Sequence, residues 1–105
     1  MQTKKLTDEN WVYAYNDYCM YRVKNGICTV MGVAFGDYGL KKGEYKSIST
    51  IKESARPDKK IRFAAAAFSG TACIHGYVDT DGIVYLYTDQ DNVNYWMYSV
   101  SFPTK

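Results

Sequence analysis

From Trp11 onward the chain alternates short apolar and aromatic runs with turn-forming residues at close intervals. That rhythm is the signature of an all-β domain. The plainest example is the stretch 19–33. Cys19-Met20-Tyr21-Arg22-Val23 leads into Lys24-Asn25-Gly26, and Ile27-Cys28-Thr29-Val30-Met31 leads out. Asn-Gly supplies consecutive residues that tolerate positive φ, as the tight hairpin turn matched to strand twist requires. A second hairpin is expected from 73–78 and 83–87 around Asp79-Thr80-Asp81-Gly82. The closing run has period two: Trp96, Tyr98, Val100 and Phe102 fall on one face, and Met97, Ser99 and Ser101 on the other. One buried and one wetter face follow.

Between the hairpins the pattern is less regular. Gly36, Gly39 and Gly43 in a short stretch predict an irregular loop. A short strand is expected at 45–51. The segment 52–60 contains Arg56-Pro57, and the residue before a proline is pushed out of the helical region, so it reads as a connection. Residues 61–69 (IRFAAAAFS) are ambiguous, because four consecutive alanines favour helix by propensity. A helix would have to begin and end within that short span, where isolated helices are marginal. We read it as a strand whose small side chains let another layer approach. The sum is seven or eight mostly antiparallel strands in a β-sandwich or jelly-roll-like barrel. Residues 1–10 read as a linker or neck and 11–105 as one binding domain.

Composition narrows the function. The chain has 105 residues, enough for one thin core. Thirteen Lys and Arg against eleven Asp and Glu leave a net charge of +2 without a basic stripe, which argues against nucleic acid. No apolar run approaches a membrane span, and residues 1–10 show no apolar core of a secretory leader. Cys19, Cys28 and Cys73 are odd in number and widely spaced, so buried free thiols are expected in place of a disulfide framework or a metal site. Eleven tyrosines exceed the needs of a small core. Tyr carries a flat apolar face and one polar handle, which suits a contact surface.

Catalytic chemistry finds little support. His75 is the single histidine, and no GxSxG occurs. Asp79 and Asp81 are explained by their turn, leaving Asp89 and Asp91 as a possible carboxylate pair. The stretch 89–94 fails the calcium-loop pattern, since Val93 stands where an oxygen ligand is needed. No cofactor or metal is expected. Recognition remains. Sugars present apolar C–H faces, which rings cover, and hydroxyl pairs, which Asp, Asn and Gln bond. The residues that combine these types are Asp37, Tyr38, His75, Asp89, Asp91, Asn92, Asn94 and Tyr95, mostly on loops that a β scaffold would hold out.

Several segments, in order, carry a resemblance. They are Tyr21-Arg22-Val23-Lys24-Asn25-Gly26-Ile27 with Val30 and Gly32, then Arg56-Pro57, then Val78-Asp79-Thr80-Asp81-Gly82-Ile83-Val84, and finally the run from Asn94 to Phe102 (NYWMYSVSF). Over residues 11–103 the chain resembles a C-terminal domain of tail-fibre and receptor-binding proteins of tailed bacteriophages and related prophage structural proteins. Ser54-Ala55 stands where that family often has Gly-Tyr before Arg-Pro, and the Ala64–Ala67 run also departs from its pattern. The resemblance implies a β-sandwich knob, a homotrimer at a fibre tip, and a bacterial surface saccharide or protein as receptor. It places the protein at the virion tail tip after synthesis in the host cytoplasm, and it supplies no functional residue. The expected function is therefore host recognition without catalysis. A trimerisation module without ligand and a small glycan hydrolase are the alternatives.

Overall fold

A computed structural model describes residues 10–68 and 70–105. The expected linker lies outside these residues except for Asn10, as does Ser69 at the end of the alanine-rich run. The strands are β1 (Val12–Tyr15), β2 (Cys19–Lys24), β3 (Ile27–Leu40), β4 (Lys46–Thr50), β5 (Ile61–Ala67), β6 (Ile74–Val78), β7 (Ile83–Thr88) and β8 (Val93–Pro103). They form one antiparallel sheet in the order β1-β2-β3-β8-β5-β6-β7-β4, curled into a nearly closed barrel. The all-β expectation holds, with the barrel as its form.

Both hairpins predicted from Asn-Gly and Asp-Gly are present. Asn25 and Gly26 take positive φ between β2 and β3, and Gly82 does so between β6 and β7. The alanine run is a strand because both neighbours claim its backbone: Ala65 pairs with Ile74 on β6 and with Tyr98 on β8. Its side chains alternate, Ala65 and Ala67 half-buried inside and Ala64 and Ala66 exposed outside. Inside, this small lining sits beside the stacked rings of Phe63 and Tyr98, 5.4 Å apart. The segment after β4 contains one short 3-10 turn, Glu53–Ala55, and a buried Pro57.

The Gly36–Gly43 stretch differs from expectation. It is not wholly a loop, because β3 continues through a bulge to Leu40, which pairs with Val93. The glycines remove side chains where β8 needs the space. A Cβ on Gly36 would meet the Tyr95 hydroxyl at 2.9 Å, and one on Gly39 would collide with Asn94 Oδ1. A bulge of this kind bends a strand and re-aims its side chains.

The core fills the barrel with alternate residues of every long strand: Cys28, Val30 and Ala34 on β3, Val84 and Leu86 on β7, and Trp96, Tyr98 and Phe102 on β8. Tight curvature is bought at two strand glycines. A Cβ on Gly32 would strike the carbonyl of Tyr18, and one on Gly76 the carbonyl of Tyr85. The seam lies between β1 and β4, where Ser49 Oγ donates to the carbonyl of Ala14 at 3.2 Å. Both edge strands carry register shifts, which discourage further pairing.

The thiols sort by burial. Burial pushes Cys19 up to about 11 and Cys28 up to about 12, whereas Cys73, expected to be buried with them, is exposed just before β6. Only the thiolate is nucleophilic. At neutral pH a disulfide-exchange reagent should therefore titrate one thiol on the native protein, lost in Cys73→Ser, and all of them after denaturation. Fast reaction at Cys19 or Cys28 would contradict this interior. Gly32→Ala should lower stability by about 3 kcal/mol, the upper range for overpacking against unyielding atoms. Urea unfolding measures it, and an unchanged midpoint would show that the Tyr18 carbonyl is free to move.

Candidate functional site

The chain turns between β1 and β2 through Asn16-Asp17-Tyr18, with Asn16 in the left-handed region at φ 50°. Asn is among the few residues that adopt this conformation at low cost. The Tyr18 amide donates to the Tyr15 carbonyl at 3.0 Å and tightens the turn. Two long-range bonds then pin it to the barrel. The Val33 amide donates to the Asp17 carbonyl at 2.8 Å, and the buried Tyr98 hydroxyl to the Tyr18 carbonyl at 2.7 Å. Gly32 leaves room for that carbonyl.

The turn faces the bulged end of β3. There Tyr38 packs into an aromatic cluster with Tyr18 (ring centroids 4.7 Å apart), Tyr15 (5.9 Å) and Trp96 (5.8 Å, edge-on). The Trp96 indole N–H donates to the Tyr38 carbonyl at 2.9 Å, and Trp96 itself is fully buried. The cluster is thus anchored to the core by a ring that cannot move independently. The Lys46 ammonium stands 5.5 Å from the Tyr38 ring centre, in cation–π range.

Beside the cluster opens a shallow cavity of about 470 Å³, lined by Tyr13, Asn16, Asp17, Tyr18, Val33, Phe35 and Asp37. Tyr13 and Phe35 hold their rings in the open, 60% and 70% exposed. The Tyr18 hydroxyl donates to Asp37 Oδ2 at 2.5 Å. That bond, with desolvation and the negative charge behind it, pushes the Tyr18 phenol up to about 12. Among the described residues, Asp37 Oδ1 and the Asp17 carboxylate have no hydrogen-bond partner. The cleft thus combines open ring faces, a turn amide and free carboxylate acceptors. It can cover an apolar surface and accept hydrogen bonds from a hydroxyl-rich ligand.

The residues expected from sequence divide into groups. Asp37, Tyr38, Asn94 and Tyr95 come together where β3 and β8 pair across the bulge, with Phe35 opposite Tyr95. Asp89, Asp91 and Asn92 shape the β7–β8 connection. Asp89 Oδ1 accepts from the Cys73 amide at 2.8 Å, Asp91 Oδ1 from the Lys42 amide at 3.0 Å, and Asn92 takes a φ of 58°. His75 lies on the outer face of β6 beside Tyr45 and Tyr87, two strands away from β8. Of the eight expected residues only Asp37 lines this cavity, and none lines a second one, of about 460 Å³, that includes Arg22, Asn25, Lys52 and Ser54. The contribution of Tyr13, Asn16, Asp17, Tyr18 and Phe35 was missed from sequence. Its trace was the Asn16-Asp17 turn dipeptide set between tyrosine-rich runs.

No protein-family model matches the chain, and no curated protein matches its sequence.

The phenol supplies a pH test. Tyr18 has a folded pKa raised above its unfolded value, so its contribution to stability is complete below pH 10 and is lost as pH rises through about 12. Subtracting the ultraviolet titration of Tyr18→Phe from that of the native protein should leave one phenol with a midpoint near 12, and Asp37→Asn should bring that midpoint back toward 10. A difference curve centred on 10 in the native protein would show that the bond to Asp37 is not made.

Proposed function

We propose that this protein is a non-catalytic recognition domain that takes a saccharide in the cleft between the β1–β2 turn and the β3 bulge, as the receptor-binding knob of a phage tail fibre does on a bacterial surface. The carrying observation is the composition of one cavity. Tyr13, Tyr18 and Phe35 offer ring faces while Asp17, Asp37 and Asn16 offer hydrogen-bonding groups around them. Aromatic faces suit the C–H faces of a sugar, and carboxylate oxygens suit its paired hydroxyls. The phage setting comes from the resemblance of residues 11–103, and the fold is compatible with it.

A second observation favours self-association, which the alternative reading as a trimerisation module also requires. The outward positions of β3 (Ile27, Thr29, Met31, Val33, Phe35) and of β8 (Tyr95, Met97, Ser99, Ser101) carry no charge. Phe35, Tyr95 and Met97 are exposed there, and Phe35 stacks on the exposed Phe68 at 5.6 Å. A neutral face of this kind can meet a copy of itself without like-charge repulsion. A homotrimer would also set identical clefts at fixed spacing, gaining strength by avidity.

The reading is tested by a glycan and cell-wall binding screen run beside a solution mass measurement. The knob should bind one class of glycan and cells of particular strains. Tyr13→Ala and Asp37→Asn should each weaken that binding about tenfold, or roughly 1.4 kcal/mol, with the far-ultraviolet dichroism unchanged. A folded trimer that ignores every glycan and cell supports the trimerisation module instead. Release of reducing ends from a bound glycan supports the hydrolase.

A further inference from the structure

A second ring-rich surface lies on the outer face of β6 and β7, away from the cleft. Cross-strand pairing sets His75 beside Tyr87 and Tyr77 beside Tyr85 in successive rows. The ring centroids are 4.9 Å apart in the first row and 4.8 Å in the second. Tyr45, just before β4, leans over both rows, 4.9 Å from Tyr87 and 5.3 Å from Tyr77, and remains 45% exposed. At the β5 side two cations converge on Tyr77. The Lys60 ammonium lies 4.4 Å from its ring centre and the Arg62 guanidinium 5.5 Å. Arg62 pairs with Tyr77 across the β5–β6 ladder, so the strand itself places that charge. Neither cation has a carboxylate partner among the described residues. The carboxylate close to Tyr77 is Asp79, and its Oδ1 accepts from the Thr80 amide at 2.8 Å.

We propose that this cluster is a second binding site, for an anionic saccharide. Sugar rings lie against Tyr45 and Tyr87 beside His75, and the acid groups they carry, carboxylate or phosphate, are taken by Lys60 and Arg62. An aromatic body with unpaired cations on one flank is complementary to a ligand that is apolar on its face and acidic at its edge. The ring planes discriminate against nucleic acid. They lie 31° to 76° from one another, so they form no flat platform for successive bases. Two cations also neutralise too few phosphates for firm backbone binding. The choice of a saccharide rests on the reading of the cleft, but the two surfaces share no residue.

Affinity electrophoresis tests the site. Gels contain polygalacturonate, poly(glycerol phosphate) or neutral dextran, with a short oligothymidylate as competitor. One acidic polymer should retard the protein and dextran should not, the carboxylate and phosphate gels separating the two sources of acid. The double variant Lys60→Gln/Arg62→Gln should lose roughly tenfold in affinity, as loss of charge-assisted bonds from both cations implies. Both side chains are exposed, so its fold should be intact, which dichroism verifies. Tyr45→Ala should weaken the same retardation, and Asp37→Asn should leave it unchanged. Equal retention by dextran, unaltered affinity in the double variant, tighter binding of oligothymidylate, or no retention by either acidic polymer would overturn the site. Loss in Asp37→Asn alone would move the ligand to the cleft, overturning this inference while supporting the saccharide reading.

Discussion

The molecule depends on the ladder between β3 and β8. It runs without a break from Ile27 opposite Pro103 to Phe35 opposite Tyr95, and resumes past the bulge at Leu40 and Val93. Among the described residues no other pairing is as long, and it joins the β1-β2-β3 group to the β5-β6-β7-β4 group. Its inward face carries Trp96, Tyr98 and Phe102, so the same backbone bonds that join the groups also place the largest core rings. Truncating a buried ring of this size typically costs about 3–5 kcal/mol, and here it would loosen the junction as well as empty the core. Gly32 sits in the middle of this ladder, opposite Tyr98, and its missing side chain is what brings the β1–β2 turn down onto the barrel.

From that junction the cleft inherits its rigidity. Trp96 holds the Tyr38 carbonyl and Tyr98 holds the Tyr18 carbonyl, so two core residues of one strand grip the two backbone segments that flank the site. The Tyr18 ring, held in this way and bonded to Asp37, loses little further conformational freedom when a ligand arrives, which lowers the entropic cost of binding there. The Tyr18–Asp37 bond adds a link across the cleft mouth and assigns the phenol proton to one acceptor.

Much of this fold was legible in the sequence because it rests on local rules. Asn25-Gly26 and Asp81-Gly82 specify turns by backbone freedom, and alternation in Trp96–Phe102 specifies a face. The alanine run required a tertiary argument, since propensity pointed to helix and the ladders to β6 and β8 overrode it. The continuation of β3 through Gly36 and Gly39 could not be read locally. Those glycines answer to Tyr95 and Asn94, more than fifty residues later, and only the β3–β8 register shows it. The site was barely legible for the same reason. Of its lining, residue type pointed only to Asp37, and bringing Tyr13, Asn16, Asp17 and Tyr18 beside it depends on a turn docked by the Asp17 and Tyr18 carbonyls. Carbonyls carry no residue identity, so no motif could announce them. Asp89 and Asp91 show the reverse case: their side chains accept from the Cys73 and Lys42 amides, a loop-shaping role that composition alone does not separate from ligand contact.

The two ring-bearing surfaces differ in hydrogen-bond polarity, and this shapes what each can hold. In the cleft the groups beside the rings are the carboxylates of Asp17 and Asp37 and the Asn16 amide, and the Tyr18 phenol already donates its O–H to Asp37. The carboxylates there call for donors, and hydroxyls are the abundant neutral ones. On the β6–β7 face the groups beside the rings are the Lys60 ammonium and the Arg62 guanidinium, which donate and cannot accept. A ligand there must bring acceptors, and acid oxygens make the strongest bonds to such cations. Rings alone would make both surfaces equally receptive to any flat apolar body. On the two proposed readings, the charges set beside them direct the surfaces to different chemistry, hydroxyl donors at the cleft and acid oxygens on the β6–β7 face.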